Sequence, residues 1–337
     1  MLDLTLIWVA LIGFGVLMYV VADGFDLGVG ILFLLSPDEG ERDLMMSSVA
    51  PVWDGNETWL ILGGAGLLAA FPMIYAVFLP ALYLGVFLML AGLILRGVAF
   101  EFRLHAADAR GRRFWGQAFG FGSLLAAFAQ GVVVGAYVQG FEVVNGQYAG
   151  GAFDWLTPFT VLTGVALVFG YVMLGVGWLL LKTDGPLAVR MRGLGSRAWW
   201  VLAILIPLAA LSSLLVQPLV GQRWATDLPL LVAGLAVLVF LMALLRRSLQ
   251  RPEAGEGRVF LLTLGVFLLC YLGLLASMWP YAVPSDYSFH DAASDRESQL
   301  FILIGALVVV PLVLAYTAWT YWLFRGKVRA SDNHGGH

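Results

Sequence analysis

The sequence has few charged residues for its length. Asp, Glu, Lys and Arg make up 12% of its 337 residues, about half the share of a soluble domain, whereas 61% are hydrophobic and the mean hydropathy is +0.88. A soluble fold needs more surface charge, and disordered chains are polar. A net charge of −3 without a basic run excludes a nucleic-acid partner. Long unbroken apolar runs therefore indicate an all-α integral membrane protein rather than a β-barrel.

Cysteine and histidine are also scarce. The one cysteine, Cys270, excludes a disulfide, a cysteine-ligated zinc site or an iron–sulfur cluster within the chain. The four histidines, His105, His290, His334 and His337, all lie outside the apolar runs. Haem in a membrane redox protein is usually held by intramembrane histidines. We therefore expect neither a metal site nor a cofactor ligated by side chains of this chain.

Nine apolar runs predict nine transmembrane helices in one domain that spans residues 1–337. The start, MLDLTLIWVA, lacks a basic residue and a cleavage site, so the first run is expected to be a span rather than a signal peptide. Two four-helix bundles and one peripheral helix are the expected arrangement. The predicted helices are roughly 5–35, 51–74, 76–98, 114–138, 155–181, 199–220, 227–246, 258–279 and 298–324.

Basic residues determine the predicted orientation. With nine spans, 17 of the 19 Lys and Arg residues fall on one side of the membrane, and only Arg223 and Arg296 fall on the other. The positive-inside rule makes the first side cytoplasmic. The N-terminus is then predicted outside and the C-terminus in the cytoplasm.

Four carboxylates lie inside the first two predicted helices. Asp23 and Asp26 occur in VADGFDLGVG, and Asp54 and Glu57 occur in APVWDGNETWL. Each pair has i,i+3 spacing and shares a helix face, and the helix rise places all four in the cytoplasmic half. Intramembrane charges are costly and usually functional. Buried carboxylates with few basic partners are expected to take up and pass protons.

Structural explanations remain open for the same residues. Asp54 is a possible N-cap, and Asp-Gly pairs often mark helix breaks. At the inner end of the third predicted helix, Arg96, Glu101 and Arg103 fit an ion-paired interfacial anchor as well as they fit a role in proton traffic.

Longer stretches resemble a known family. GFGVLMYVVADGFDLGVG, SSVAPVWDGNETWLILGGAGLLAAFP and LRGVAFEFR are similar to subunit II of the cytochrome bd-type quinol oxidases, and MWPYAVPS followed by DAAS resembles its outer segment. The resemblance covers the whole chain and is strongest in the first third. The cyanide-insensitive branch is one assignment within this family, although subunit II alone does not separate the branches.

The resemblance implies a respiratory complex of the bacterial inner (plasma) membrane that oxidises quinol and reduces oxygen to water. Such complexes generate a proton motive force without pumping, because quinol protons leave outside and the protons for water come from the cytoplasm. Subunit I would carry haem b, haem d and the quinol-binding loop. The resemblance also allows for a structural quinone on this chain and for a small single-span accessory subunit.

The resemblance assigns roles to residues of this chain. Asp26 and Asp54 are the first choices for a proton route, together with Glu57 and Asp23. Trp59 is a candidate for lining an oxygen path. Residues expected to support the motif are Trp53, Gly55, Asn56, Arg96 and Glu101.

Two other classes of function compete with this interpretation. A proton-coupled membrane transporter is compatible with paired carboxylates in broken helices. A purely structural scaffold is the third hypothesis. A transporter would need inverted repeats and a polar midplane site, whereas the second half of the chain has almost no intramembrane charge.

Overall fold

The computed structural model describes residues 3–251, 255 and 257–328. Arg329 of the basic set and the histidines His334 and His337 lie outside these residues. The described part is built almost entirely of helices, with two short antiparallel hairpins, β1–β2 and β3–β4. The elements are α1 Leu4–Leu35, α2 Glu39–Val49, α3 Trp53–Ala70, α4 Pro72–Leu104, α5 Ala109–Gln139, β1 Val143–Val144, β2 Gln147–Tyr148, α6 Pro158–Lys182, α7 Gly185–Val216, α8 Pro218–Thr226, α9 Leu228–Gln250, α10 Gly257–Met278, β3 Tyr281–Val283, β4 Tyr287–Ser288 and α11 Arg296–Leu323.

Eight helices of the described chain are long and apolar enough to cross a membrane. They are α1, α4, α5, α6, α7, α9, α10 and α11. α3 has 18 residues but begins with the polar segment WDGNE, so it does not belong to this set. Several helices extend beyond their apolar runs. α4 continues to Leu104 and α7 begins at Gly185, because charged helical turns project past the apolar stretch.

A short helix, α2, lies between α1 and α3. Hydropathy does not indicate this helix. Asp38 caps its start by accepting a hydrogen bond from Glu41 N at 2.9 Å. The charged first half of α2 stays near water, while Met45, Met46 and Val49 are buried. We call the end of the bundle that carries α2, the end of α4 and the start of α5 the basic end.

α6 lies at the centre of the helix packing and contacts α1, α5, α7 and α10. Glycine allows its closest approach to α1. A Cβ at Gly28 would lie 1.8 Å from the Tyr171 carbonyl oxygen, and one at Gly175 would lie 2.5 Å from the Gly28 carbonyl carbon. Gly24 likewise faces the Tyr171 ring. These glycines therefore bring α1 against α6, which the spacing of the carboxylates alone does not indicate.

Candidate functional site

α1 carries two buried carboxylates without interruption. The helix runs unbroken from Leu4 to Leu35, so Asp23-Gly24 does not mark a helix break. Asp23 and Asp26 are 1% and 2% exposed. The discontinuous helix that would favour a transporter is therefore not found at this pair.

Arg96 of α4 pairs with the first of these carboxylates. One guanidinium nitrogen, Nη2, bonds Asp23 Oδ1 and lies 3.1 Å from Glu57 Oε1. The guanidinium also lies over the Trp53 ring, 5.4 Å from its centroid. Arg96 is 1% exposed and about 12 Å from the end of α4 at the usual helix rise. It is thus an interior counter-ion, and the interfacial-anchor interpretation does not fit it.

Asn56 of α3 connects Asp26 to α11. Its amide nitrogen donates to Asp26 Oδ2 at 2.7 Å and to the Ala22 carbonyl at 3.3 Å. The Tyr321 hydroxyl donates to Asn56 Oδ1 at 2.9 Å. Because both ends of the amide are engaged, its orientation is defined, and Asp26 receives an N–H donor.

A series of hydrogen-bonded polar side chains continues from Asp23 toward α5 and α6. The Tyr19 hydroxyl lies next to the Asp23 carboxylate. Gln130 Nε2 donates to that hydroxyl at 2.7 Å, and the Tyr171 hydroxyl donates to Gln130 Oε1 at 2.6 Å. All three side chains are buried. They form an uncharged hydrogen-bonded series inside the bundle.

Sequence reasoning missed four members of this network. They are Tyr19, Gln130, Tyr171 and Tyr321. The one usable signal was Gln130, an amide in the apolar run LLAAFAQGVVV, since a buried amide requires hydrogen-bond partners. The tyrosines give no such signal, because tyrosine is common in membrane helices at many depths.

The buried carboxylates are not fully satisfied. Asp23 Oδ2 and Asp26 Oδ1 have no hydrogen-bond partner among the described residues. Asp23 and Glu57 moreover share a single arginine, Arg96, and the buried Asp26 has no ion pair among the described residues. A buried carboxylate that lacks a counter-ion is stabilised by a proton or by water. The cluster can therefore hold at least one transferable proton.

The polar side chains on the first turns of α3 differ in exposure. Asp54 is exposed at the surface of the isolated chain, the Glu57 side chain is 30% exposed, and Asn56 is buried. Val52, not Asp54, precedes the first residue of α3, so Asp54 is not its N-cap. Asp54 also lies outside the group of buried carboxylates, although it is close enough to Glu57 to interact electrostatically.

The remaining predicted residues lie around the cluster or apart from it. Trp53 packs on Phe100 with ring centroids 5.3 Å apart. Trp59 is buried and contacts the Phe14 ring edge-on at 5.7 Å, whereas Gly55 faces the Tyr316 ring. Five of the predicted residues meet at the cluster: Asp23, Asp26, Asn56, Glu57 and Arg96. Trp53 flanks the cluster, whereas Asp54 and Glu101 are exposed.

The anchor interpretation fits the basic end of α4 instead. Arg103 Nη2 lies 2.9 Å from Glu39 Oε2, and Arg103 Nη1 lies 2.8 Å from Asp43 Oδ1. Arg112 of α5 shares Asp43 at 2.9 Å. These pairs fasten α2 to α4 and α5.

Haem ligation does not fit the described histidines. His105 follows the last residue of α4, with Nδ1 2.9 Å from the Glu101 carbonyl. His290 lies in the segment after β4, 3.6 Å from Asp3. Neither ring lies within a membrane-spanning helix.

These features define a class of protein: a polytopic helical membrane protein with a carboxylate cluster around one buried arginine. The family model for "Cytochrome bd terminal oxidase subunit II" matches residues 4–324. Cytochrome bd-I ubiquinol oxidase subunit 2 of Escherichia coli (strain K12) is 32% identical, over 98% of this chain and 96% of the relative. Cytochrome bd ubiquinol oxidase subunit 2 of Bacillus subtilis (strain 168) is 29% identical, over 97% and 96%.

A solved structure shares the fold. A chain in the structure of bd oxidase from Geobacillus thermodenitrificans superposes with a TM-score of 0.79 at 16% identity, covering 96% of this chain and 99% of that chain. Together with the family match, the relatives show that the chain belongs to the cytochrome bd terminal oxidase subunit II family. It is a multi-pass protein of a bacterial inner membrane.

Proposed function

We propose that this chain is subunit II of a bd-type terminal quinol oxidase, which oxidises quinol and reduces oxygen to water. Its family and its relatives, two of them named as ubiquinol oxidase subunits, support this function. The complex would generate a proton motive force without pumping, by taking the protons for water from the cytoplasm. This chain would support subunit I and supply part of that proton route.

The membrane topology that we propose has nine spans. α3 joins the eight apolar helices, and the basic end faces the cytoplasm, as the positive-inside rule favours. Contacts among α1, α3, α4 and α5, and among α6, α7, α9 and α10, support two four-helix bundles. α11 would be the peripheral helix, since it contacts mainly α3 and α1.

The proton route would run from the surface of α3 to the interior of α1. Asp54 would receive protons at the surface, and Glu57 would pass them to the Asp23–Arg96 pair and Asp26. The observation that carries this proposal is the pair of unpartnered oxygens on Asp23 and Asp26 beside a surface-to-interior series of carboxylates. Water bridges of the kind that satisfy buried polar groups would complete the steps.

The redox cofactors would lie in the partner. We assign haem b and haem d to subunit I, because the described histidines of this chain lie outside the membrane-spanning helices. Quinol and oxygen would be substrates of the assembled complex. A structural quinone and a small single-span accessory subunit stay predictions.

An optical spectrum of the complex purified through a tag on this chain tests the function. We expect haem b and haem d bands, a second and larger membrane subunit, and oxygen consumption with quinol as the donor. A pure, stable preparation without haem bands would refute the assignment to a bd-type oxidase.

Asp54→Asn tests the proton route separately. We expect normal assembly and haem content with slower quinol-driven oxygen consumption, because the surface donor loses its titratable group. Glu101→Gln is the matched control, since Glu101 is also an exposed carboxylate at a helix end but lies apart from the cluster. Equal turnover in Asp54→Asn and the control would remove Asp54 from the route.

A further inference from the structure

A cavity at the basic end lies outside the carboxylate cluster. It encloses about 310 Å³ between the end of α1, the start of α2 and the second turn of α5. Its lining includes three arginines, one carboxylate and three apolar side chains: Arg42, Arg112, Arg113, Glu39, Phe33, Leu34 and Pro37. The cavity therefore combines cationic and apolar side chains.

The arginines that line the cavity are only partly neutralised. Arg42 Nη1 lies 2.5 Å from Glu39 Oε1, and Arg112 pairs with Asp43. Arg113 has no carboxylate within ion-pair distance among residues 3–251, 255 and 257–328. Its guanidinium thus keeps its donors available for an anion, and the planar arginine fork matches the oxygens of a phosphate.

The position of the cavity decides which anion fits. α1 ends at Leu35, whose side chain is 55% exposed, so the cavity lies where an apolar helix leaves the hydrocarbon region. Phospholipid phosphates occupy this level, and basic pockets between membrane helices bind anionic headgroups. A free phosphate would use the arginines but would not cover the apolar side chains of Leu34 and Pro37, which are half-buried and exposed.

We propose that this cavity binds an anionic phospholipid. Arg113 contacts the headgroup phosphate, with Arg42 and Arg112 adding N–H donors. Leu34 and Pro37 contact the first methylenes of an acyl chain. The lipid would brace the end of α1 against α5 at the basic end.

Native mass spectrometry of the intact, detergent-purified complex tests the proposal. The complex is titrated with phosphatidylglycerol, with zwitterionic phosphatidylcholine and, in a third arm, with phosphatidylglycerol plus inorganic phosphate. The variants are Arg113→Gln, the charge-conserving Arg113→Lys, and Arg110→Gln as a control on the first turn of α5 outside the cavity lining. Size-exclusion elution verifies that each variant assembles.

We expect phosphatidylglycerol to bind the wild-type complex in preference to phosphatidylcholine. Arg113→Gln should weaken this binding about fivefold, the factor for one basic residue near an anionic headgroup. Arg113→Lys should lose less, and Arg110→Gln should bind as the wild type does. Equal binding of both lipids, or equal losses in Arg113→Gln and Arg110→Gln, would overturn the site. Complete displacement of the lipid by inorganic phosphate would show that a soluble anion is the ligand and would overturn the lipid assignment.

Discussion

Two arginines on α4 make similar ion pairs at different depths. Arg96 pairs with Asp23 and Glu57, and Arg103, two helical turns later, pairs with Glu39 and Asp43. Both guanidinium groups are buried. Their partners differ, because the Asp23 side chain is 1% exposed whereas those of Glu39 and Asp43 are 51% and 29% exposed. Glu57, the second partner of Arg96, is 30% exposed. The pairs at the basic end are therefore partly hydrated, whereas the Arg96–Asp23 pair in the interior is buried.

Charge balance makes the two regions chemically different. Asp43 and Glu39 at the basic end face Arg103, Arg112 and Arg42, so their charges are compensated. In the interior, Asp23 and Glu57 share Arg96, and Asp26 has no ion pair among the described residues. An uncompensated buried charge is expensive, whereas a protonated carboxyl is not. The interior cluster is thus suited to holding protons and the basic end to holding helices together.

Replacing Arg96 or Arg103 should produce the largest difference between the interior cluster and the basic end, and the difference should appear in stability. Arg96→Gln leaves Asp23 buried without its counter-ion, and the loss of stability should be about 3–5 kcal/mol, as for other broken buried pairs. Arg103→Gln should cost about 1 kcal/mol, because its partners reach water and Asp43 keeps Arg112. The melting temperature and yield of the purified complex measure both effects. Similar losses in the two variants would contradict the comparison.

A double variant distinguishes a lost charge pair from lost packing. Asp23→Asn combined with Arg96→Gln removes both charges and retains polar side chains of similar size. We expect the complex to recover most of the stability lost in Arg96→Gln, because neutral replacement of a buried pair is often tolerated. No recovery would mean that packing around Arg96, not its charge, determines stability.

The next largest difference is expected in turnover, when one carboxylate of each region is replaced. Asp26→Asn removes a titratable group from the interior but keeps its shape, and we expect quinol-driven oxygen consumption to fall about 100-fold, the usual effect of losing a proton-transfer group. Asp43→Asn at the basic end should leave turnover close to that of the wild type. Haem content must be equal in both preparations. Normal turnover in Asp26→Asn would exclude it from the proton route.

Composition and local pattern predict much of this molecule. Long apolar runs predict an all-helical membrane protein because each span must satisfy its own backbone hydrogen bonds. The motifs VADGFDLG and WDGNETW indicate the family, and the match to residues 4–324 confirms it. Apolar runs do not predict the short helix α2, since its eleven residues are partly charged and produce no hydropathy signal.

The partners within the site are harder to predict. Asp23 lies 73 residues from Arg96, and Asn56 lies 265 residues from Tyr321. Local spacing shows which carboxylates share a helix face but not which distant side chain faces them. Asp54 illustrates the limit: its i,i+3 spacing with Glu57 is correct, yet it lies at the surface and not among the buried carboxylates. Only the packing of α3 between α1 and α11 determines that outcome.

Replacing Tyr321, the α11 residue next to the interior cluster, should have a smaller effect on turnover. Tyr321→Phe removes the hydroxyl that orients the Asn56 amide, and one hydrogen bond is worth about 1 kcal/mol, or about fivefold in turnover. Tyr316→Phe is the matched control on α11, since its exposed hydroxyl has no hydrogen bond among the described residues. Equal turnover in the two variants would mean that Asn56 keeps its orientation without Tyr321.

The smallest expected difference between the two regions is in how the stability lost on replacing an arginine depends on salt concentration. Arg190 on α7 lies 3.0 Å from Glu41 of α2 at the basic end, and the Arg190 side chain is 38% exposed. Arg190→Gln should lower stability by about 0.5 kcal/mol, and this loss should vanish near 1 M salt, where the screening length is about 3 Å. The cost of Arg96→Gln should stay unchanged across the same series, because ions do not enter the helix interior. Thermal unfolding measures both variants. A matching salt dependence would show that water and ions reach the Arg96–Asp23 pair, which would then be no different from the ion pairs at the basic end.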